Sequence, residues 1–146
     1  MKTILQDIYN WFLVKKEYLN EFANVDSRLE NWFKGEMVLL LSRLKLKGIV
    51  KDFQTERPYK VDLLLTLTDR ECLCELKAFC ISQIRGKNRK LSFYFGKTKG
   101  GFRGAFEKLD KLPKKYNKYV IGFIYPNPGK KDWVNEITNL PSNLKY

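Results

Sequence analysis

Histidine is absent from the 146-residue sequence. The chain therefore cannot use a histidine as a general acid or base, and it cannot contain a Ser-His or Cys-His nucleophile. Nucleases that depend on a histidine base are excluded for the same reason. A zinc site would have to be built from cysteine and carboxylate ligands alone.

Cysteine is also rare. The three cysteines, Cys72, Cys74 and Cys80, lie within nine positions of the chain. An odd number of cysteines so closely spaced does not form a disulfide framework. In a strand, the side chains of a Cys-x-Cys pair point to the same face, and small thiols on such a face suit a hydrophobic core. We therefore predict free, buried cysteines.

Long apolar runs are missing as well. No stretch approaches the ~18 consecutive apolar residues of a membrane-spanning helix. The N-terminal segment carries charges throughout and lacks the apolar centre and cleavage site of a signal peptide. The composition is nevertheless that of a folded protein, because 44% of the residues are hydrophobic, with 3 Trp, 8 Tyr and 10 Phe. We expect one cytoplasmic domain spanning residues 1–146.

Positive charge is abundant and unevenly distributed. The formal net charge is +12. The segment from Arg85 to Lys115 contains eleven Lys/Arg and two acids, a net +9, whereas Gly48 to Ile84 contains five Lys/Arg and six acids. We therefore expect one strongly positive face beside a locally acidic centre. A positive face of this kind favours a phosphate-bearing partner.

The basic segment also contains interspersed aromatic residues and glycines. This composition favours nucleic acid over a charge excess that only keeps the protein in solution. A membrane surface is the weaker alternative, because the glycines interrupt any long basic amphipathic helix. Glycines beside Arg103 would let the backbone approach a phosphate at the start of a helix. The candidate nucleic-acid contacts are Lys87, Arg89, Lys90, Lys97, Lys99 and Arg103.

Helical periodicity covers the first third of the chain. Apolar residues recur every three or four positions near residues 2 to 23, which predicts one amphipathic helix. A second helix is predicted to begin at a cap formed by Asp26 or Ser27 and to end at Gly48. Glu36 lies on the apolar stripe of this helix, where solubility would not place a carboxylate, whereas Glu30 lies just beside the stripe.

After Gly48 the pattern changes to short apolar or alternating segments, which predict strands. Two of them are joined by the polar sequence Thr68-Asp69-Arg70, which indicates a tight antiparallel hairpin. Residues 91–95 are predicted to form a fourth strand or an extension of the third. A glycine-rich entry into a helix, an apolar strand and a last short helix follow. The order ααβββ(β)αβ predicts an α/β sandwich with a mixed central sheet flanked by helices.

Three charged residues interrupt the predicted hairpin strands. Glu75 and Lys77 point to the same face because they are two residues apart, and antiparallel pairing brings Asp62 close to Glu75. Two adjacent carboxylates repel each other unless they bind a cation or a proton. Mg²⁺ would resolve the repulsion, since it uses one or two carboxylates together with phosphate oxygens. The alternative is a surface ion pair of Glu75 with Lys77, which would contribute little to stability.

These residues resemble the motif of a known family. Asp62, followed after twelve residues by Glu75-Leu76-Lys77 on a central strand and preceded by a helix with an inward Glu36, is similar to the PD-(D/E)XK nuclease superfamily. That superfamily has the restriction-endonuclease-like fold. The resemblance covers roughly residues 26 to 125, and Val61 stands where the motif's name has proline.

The resemblance implies Mg²⁺-dependent phosphodiester hydrolysis, with Mn²⁺ as an alternative ion. It implies that Asp62 and Glu75 bind the metal together with the main-chain carbonyl of Leu76. Lys77 would position or activate the attacking water. Glu36 would be a supporting acid.

The resulting expectation is a small metal-dependent DNA endonuclease. Such a fold uses nearly all of the chain, which favours recognition of DNA shape or ends over a long base sequence. The length and the Asp-to-Glu spacing are similar to archaeal-type Holliday junction resolvases, which act on branched DNA as homodimers. The competing alternative is a non-catalytic nucleic-acid-binding subunit with the same fold, which would have no need of acids that repel phosphate.

Overall fold

The structure is a computed structural model that describes residues 2–24, 29–55, 59–81, 83–84, 87–88, 90–96, 101–126 and 129–138. The described residues form six helices and six strands. In chain order these are α1 (Lys2–Leu13), α2 (Lys16–Asn24), α3 (Leu29–Leu46), β1 (Asp52–Thr55), β2 (Leu63–Thr66), β3 (Glu71–Cys80), β4 (Gln83–Ile84), β5 (Lys87–Asn88), α4 (Leu91–Phe95), α5 (Phe102–Asp110), β6 (Asn117–Tyr125) and α6 (Lys130–Thr138).

Four strands form one mixed sheet in the order β1-β2-β3-β6. The pairs β1-β2 and β2-β3 are antiparallel, and β6 runs parallel to β3. The predicted hairpin turn closes with a hydrogen bond from the Leu67 N–H to the Arg70 carbonyl at 2.8 Å. Strands β4 and β5 form a separate two-stranded ribbon. The prediction of an α/β protein with a mixed sheet is confirmed.

Helices cover both faces of the sheet. On one face, Leu76 belongs to a core cluster with Phe33 and Leu41 of α3. On the other face, Leu73 packs in a cluster with Leu109 of α5. Strand β3 therefore has apolar neighbours on both sides, which explains why it is buried along most of its length. Any charged side chain on β3 beyond its first residue must lie in or beside a core.

The predicted N-terminal helix is divided in two. Apolar Ile4, Ile8 and Phe12 follow one another at four-residue spacing and are buried. A continuous helix would next place Lys15 or Lys16 on the same buried stripe. The helix breaks at residues 14–15, which separates α1 from α2.

The prediction of a strand at residues 91–95 is wrong, because this segment is helix α4. A strand would place Leu91, Phe93 and Phe95 on one face, but Phe93 is 56% exposed. The buried residues are Leu91, Tyr94 and Phe95, which have the spacing of a helix. The Tyr94 hydroxyl donates a hydrogen bond to the Cys80 carbonyl at 2.9 Å. Packing against the end of β3 therefore favours a helix over a strand for residues 91–95.

Two further predictions are confirmed. Cys72, Cys74 and Cys80 are buried. The helix after the glycine-rich entry, the apolar strand and the last short helix correspond to α5, β6 and α6. None of the helices among the described residues has the length and apolar character needed to span a membrane.

Candidate functional site

The candidate site lies where strand β2 begins beside the longer strand β3. The hairpin register pairs Leu63, the first residue of β2, with Cys74. Later residues of β3 extend past β2, and within the described chain they pair only with β6. Asp62 immediately precedes β2 and falls opposite Glu75 when the register is continued by one residue. The hairpin therefore brings these two acids to neighbouring positions.

Asp62 takes the place of a strand partner for Leu76. Its Oδ2 accepts a hydrogen bond from the Leu76 N–H at 2.8 Å. The N–H and C=O of one strand residue point to the same side of the strand, so the Leu76 carbonyl also faces the side on which β2 has ended. The Asp62 carboxylate is thereby fixed against the backbone of the strand that carries Glu75 and Lys77.

Helix α3 contributes two charged side chains next to Asp62. The Lys34 amine lies 2.8 Å from Oδ1 of Asp62 and 3.0 Å from Oε1 of Glu30. Lys77 on β3 reaches the same Glu30 oxygen at 3.8 Å. Glu30 and Lys34 are four residues apart and therefore lie on one side of the helix. Glu30 connects the lysine of the helix with the lysine of the strand.

Helix α5 contributes a third lysine. Lys108 forms an ion pair with Oε1 of Glu75 and donates a hydrogen bond to the Lys60 carbonyl at 2.6 Å. Its neighbour Leu109 is buried and anchors the helix against the sheet. Three acids and three lysines thus form one group with a formal charge of zero, which we call the charge cluster. Its members are Glu30, Lys34, Asp62, Glu75, Lys77 and Lys108.

The members of the charge cluster differ in their contact with solvent. The side chain of Glu75 is 5% exposed, that of Lys77 14% and that of Asp62 15%. Lys34 and Lys108 are 35% and 40% exposed. The centre of the cluster is therefore largely shielded from water, whereas these two lysines reach it from the surface.

The two carboxyl groups have pKa values that move in opposite directions. Burial raises the pKa of Asp62, but hydrogen bonds from Lys34 and the Leu76 N–H outweigh it, so this pKa lies below its usual value. Burial also raises the pKa of Glu75. The hydrogen bond from Lys108 opposes that rise only in part, and the charge of Asp62 adds to it, so this pKa lies above its usual value. Such divergence is found in catalytic sites and in structural ion networks.

The structure does not bring Glu36 to the charge cluster. Its carboxylate accepts a hydrogen bond from Trp11 Nε1 at 2.8 Å and pairs with Lys15 at 2.9 Å, so it holds α1 against α3. Six residues are about one and two-thirds helical turns, which places Glu36 on a different side of α3 from Glu30. The helix acid beside Lys77 is Glu30, and the expectation that Glu36 has this role is corrected.

The sequence contained a signal for Glu30 but none for Lys108. Glu30 and Lys34 form an acid–lysine pair at four-residue spacing, which is typical of one helix side. Phe33 and Met37, which are three and seven positions after Glu30, are buried, so Glu30 lies beside the buried stripe of the helix. Lys108 meets Glu75 across 33 positions, which only the packing of α5 on the sheet determines.

The predicted nucleic-acid contacts are only partly described. Arg89, Lys97 and Lys99 lie outside the described residues, and of Lys87 only the backbone, in β5, is described. Lys90 is exposed just before α4. Arg103 lies on α5 and donates a hydrogen bond to Glu107 at 3.3 Å. A shared phosphate-binding face of these residues stays a prediction.

The donors at the site fit a hard divalent cation that uses few protein ligands. Among the described residues, no group of three or more His, Cys, Asp or Glu is arranged to hold a metal ion. Mg²⁺ usually takes only one or two carboxylates and completes its shell with water and phosphate oxygens. Asp62, Glu75 and the Leu76 carbonyl offer such an all-oxygen set. Zinc, which favours nitrogen and sulfur ligands, does not fit.

Comparison with models of known families, with curated proteins and with solved structures finds no match. The resemblance to the nuclease superfamily therefore stays a prediction from the sequence motif.

Proposed function

We propose that the protein is a metal-dependent DNA endonuclease with the restriction-endonuclease-like fold of the PD-(D/E)XK superfamily. The observation that carries this proposal is the position of Asp62 opposite Glu75 at the start of β2, with Lys77 on the same face of β3 as Glu75. The element order α3-β1-β2-β3-α5-β6, with a mixed sheet between helix layers, supports the fold.

The side chains of the site have distinct roles in this proposal. Asp62 and Glu75, together with the Leu76 carbonyl, would hold Mg²⁺ or Mn²⁺. Such a cation would supply Lewis-acid polarisation of the phosphodiester and activation of the attacking water. Lys77 stabilises the negative charge that develops on a phosphate oxygen. Glu30 forms an ion pair with the Lys77 amine, at 3.8 Å from its Oε1, and orients it.

The reaction is the addition of water across one P–O ester bond. The water oxygen forms a bond to phosphorus, the ester bond to the leaving oxygen breaks, and that oxygen leaves with a proton as a hydroxyl group. The shielded centre of the charge cluster strengthens the interaction of Lys77 with a developing anion, because the local dielectric constant is lower than that of water. The net charge of +12 favours the approach of a polyanion such as DNA.

The second candidate is a non-catalytic nucleic-acid-binding subunit on the same fold. The observation that favours it is that every acid of the charge cluster already has a lysine partner. A group that is neutral in itself can serve as a structural ion network without any metal. The two candidates differ in one respect, because only the nuclease requires Asp62 and Glu75 to bind a divalent cation.

The test is a cleavage assay on supercoiled, linear, single-stranded and branched DNA, with Mg²⁺, with Mn²⁺ and with EDTA. We expect cation-dependent cleavage that is lost in Asp62→Asn, Glu75→Gln and Lys77→Ala. Asp69→Asn is the matched control, since Asp69 is an exposed turn residue paired with Arg70, and it should cleave like the wild type. Cation-independent cleavage, or undiminished cleavage by any of the three folded site variants, would contradict the assigned roles.

A further inference from the structure

Two lysines of the charge cluster occupy the carboxylate oxygens that a metal ion would use. The Lys34 amine lies 2.8 Å from Oδ1 of Asp62, whereas Oδ2 of the same group is held by the Leu76 N–H. Lys108 pairs with Oε1 of Glu75. A divalent cation bound by both acids would therefore compete with both amines for the charge of the two carboxylates.

We propose that Lys34 and Lys108 are exchangeable counter-cations that neutralise Asp62 and Glu75 in the metal-free protein and turn to the phosphates of the DNA when a divalent cation takes their place. This inference rests on the proposed function and extends it to two residues outside the recognised motif. In the metal-free protein the lysines keep the two neighbouring acids from repelling each other. With a cation in their place, they would bind the phosphates of the DNA beside these acids.

The charge balance of the cluster favours such an exchange. Three acids and three lysines cancel, so a divalent cation added to the intact cluster leaves an excess of two positive charges. A phosphate backbone carries negative charges that restore neutrality. Metal and DNA should therefore bind cooperatively, and by linkage each should raise the affinity for the other by the same factor.

The geometry gives both lysines a place to remain after displacement. Lys34 keeps its contact with Glu30 at 3.0 Å, and Lys108 keeps its hydrogen bond to the Lys60 carbonyl at 2.6 Å. Both side chains reach solvent, at 35% and 40% exposure. Lys77 is only 14% exposed, which suits a fixed role at the reacting phosphate. The surface lysines can move, and the inner lysine stays in place.

The experiment measures metal affinity directly, without relying on cleavage. Mn²⁺ binding is followed by electron paramagnetic resonance in the absence of DNA for the wild type, Lys34→Met and Lys108→Met. Each substitution removes a competing charge next to a ligand oxygen, so we expect Mn²⁺ to bind about tenfold more tightly or more. Lys45→Met is the matched control, because Lys45 pairs with the exposed Asp52 at the far end of α3, and its Mn²⁺ affinity should equal that of the wild type.

The same variants should have the opposite effect on DNA. We expect the affinity for a labelled duplex of about 20 base pairs, measured by fluorescence anisotropy in Ca²⁺, to fall in Lys34→Met and Lys108→Met. The slope of log affinity against log salt should decrease by about one for each lysine removed. In EDTA, where the lysines remain on the acids in the wild type, the substitutions should change DNA affinity much less. Lys34→Arg, which keeps the charge, should retain the wild-type salt slope.

The outcomes separate this inference from the proposed function. If the wild type does not bind Mn²⁺, or if Asp62→Asn and Glu75→Gln leave its Mn²⁺ affinity unchanged, both the proposed function and the lysine exchange are overturned. Mn²⁺ binding that depends on those acids but is equal or weaker in the lysine variants would overturn the exchange alone. Circular dichroism checks folding, and if Lys108→Met does not fold, the same comparison is made with Lys34→Met.

Discussion

Replacing Lys108 by methionine isolates the contribution of the Glu75 ion pair to the fold. Methionine is similar to lysine in length and can still pack beside Leu109, but it carries no charge. The Glu75 side chain stays where it is, 5% exposed, and loses the ammonium group that compensates its burial. The variant therefore measures the cost of an uncompensated carboxylate inside the charge cluster.

The expected loss follows from burial and solvent access. Removing one partner of a fully buried ion pair costs about 3–5 kcal/mol. Lys108 is 40% exposed, so water screens its interaction with Glu75 and reduces the expected loss to about 1–3 kcal/mol. For a protein of this size a loss of about 2 kcal/mol lowers the Tm by about 4–8 °C.

The loss should depend on pH with a defined sign. The pKa of Glu75 is raised in the folded protein, so its protonated form contributes stability that is complete below the unfolded pKa of about 4.3. That contribution is lost as the pH rises through the folded pKa. Lys108→Met raises the folded pKa further, so it destabilises the protein above the unfolded pKa and hardly at all below it.

The stability contribution of Asp62 depends on pH in the opposite direction from that of Glu75, but it does not affect the comparison of the variant with the wild type. Its folded pKa is lowered, so its contribution is present above its unfolded pKa of about 3.9 and is lost as the pH falls through the folded value. Both proteins carry this dependence, since the Asp62 carboxylate is paired with Lys34 and the substitution removes the partner of Glu75. The difference between variant and wild type therefore reports mainly on Glu75.

The assay is urea unfolding in EDTA at about pH 7.5 and at about pH 4, where the Glu75 effect should be largest and smallest. Lys114→Met is the matched control, because Lys114 is an exposed lysine in the segment that follows α5, and it should be nearly neutral at both pH values. Equal losses for Lys108→Met at the two pH values, or no loss at the higher one, would refute the assignment of Glu75 as a buried charge compensated by Lys108.

Three further predictions concern packing and burial. Gly122→Ala should destabilise the protein by about 1–3 kcal/mol in urea unfolding, because the added Cβ would overlap the ring of the buried Phe102. Gly35→Ala, where the Cβ meets no atom and the residue lies inside α3, should instead stabilise it by about 0.5–1 kcal/mol. The three buried cysteines should react with DTNB only when the protein unfolds. Burial raises the pKa of Cys74 and keeps its thiol protonated. Rapid labelling of the native protein would contradict the burial of the cysteines.

The central hairpin was predictable from sequence because strand parity and turn chemistry are local. Glu75 and Lys77 share a face in any extended strand, and the Thr68-Asp69-Arg70 turn sets the register that leads to Asp62. The predicted N-terminal helix is divided into α1 and α2 although its apolar spacing is continuous in the sequence. The one error in element type arose where tertiary packing decides, because the apolar residues of 91–95 fit both periods and the ring of Phe79 stacks on Tyr94 at 4.0 Å.

The partners of the predicted acids were less accessible to sequence reasoning. Which acid of α3 faces the sheet depends on the rotation of the helix, and the apolar stripe was drawn wide enough to include Glu36. Hydrogen bonding of Glu36 to Trp11 shows that this side of α3 faces α1 instead. The pairing of Lys108 with Glu75 follows from the docking of α5, and no local pattern in the sequence specifies that docking.

The site lies at the start of β2 because of the backbone conformation just before Asp62. Tyr59 and Lys60 both have positive φ, at 69° and 57°, a conformation that costs on the order of 1 kcal/mol or more for each non-glycine residue. Contacts hold this turn in place, because Tyr59 packs on Tyr116 at 5.7 Å and the Lys60 carbonyl accepts a hydrogen bond from Lys108. The turn prevents β2 from extending to a position beside Leu76. The Leu76 N–H therefore donates its hydrogen bond to the Asp62 side chain instead of to a carbonyl of β2. Lys108 therefore connects the strained turn at Tyr59 and Lys60 to the buried carboxylate of Glu75. We expect a substitution in the turn to alter the Glu75 ion pair, and a substitution of Glu75 to alter the turn.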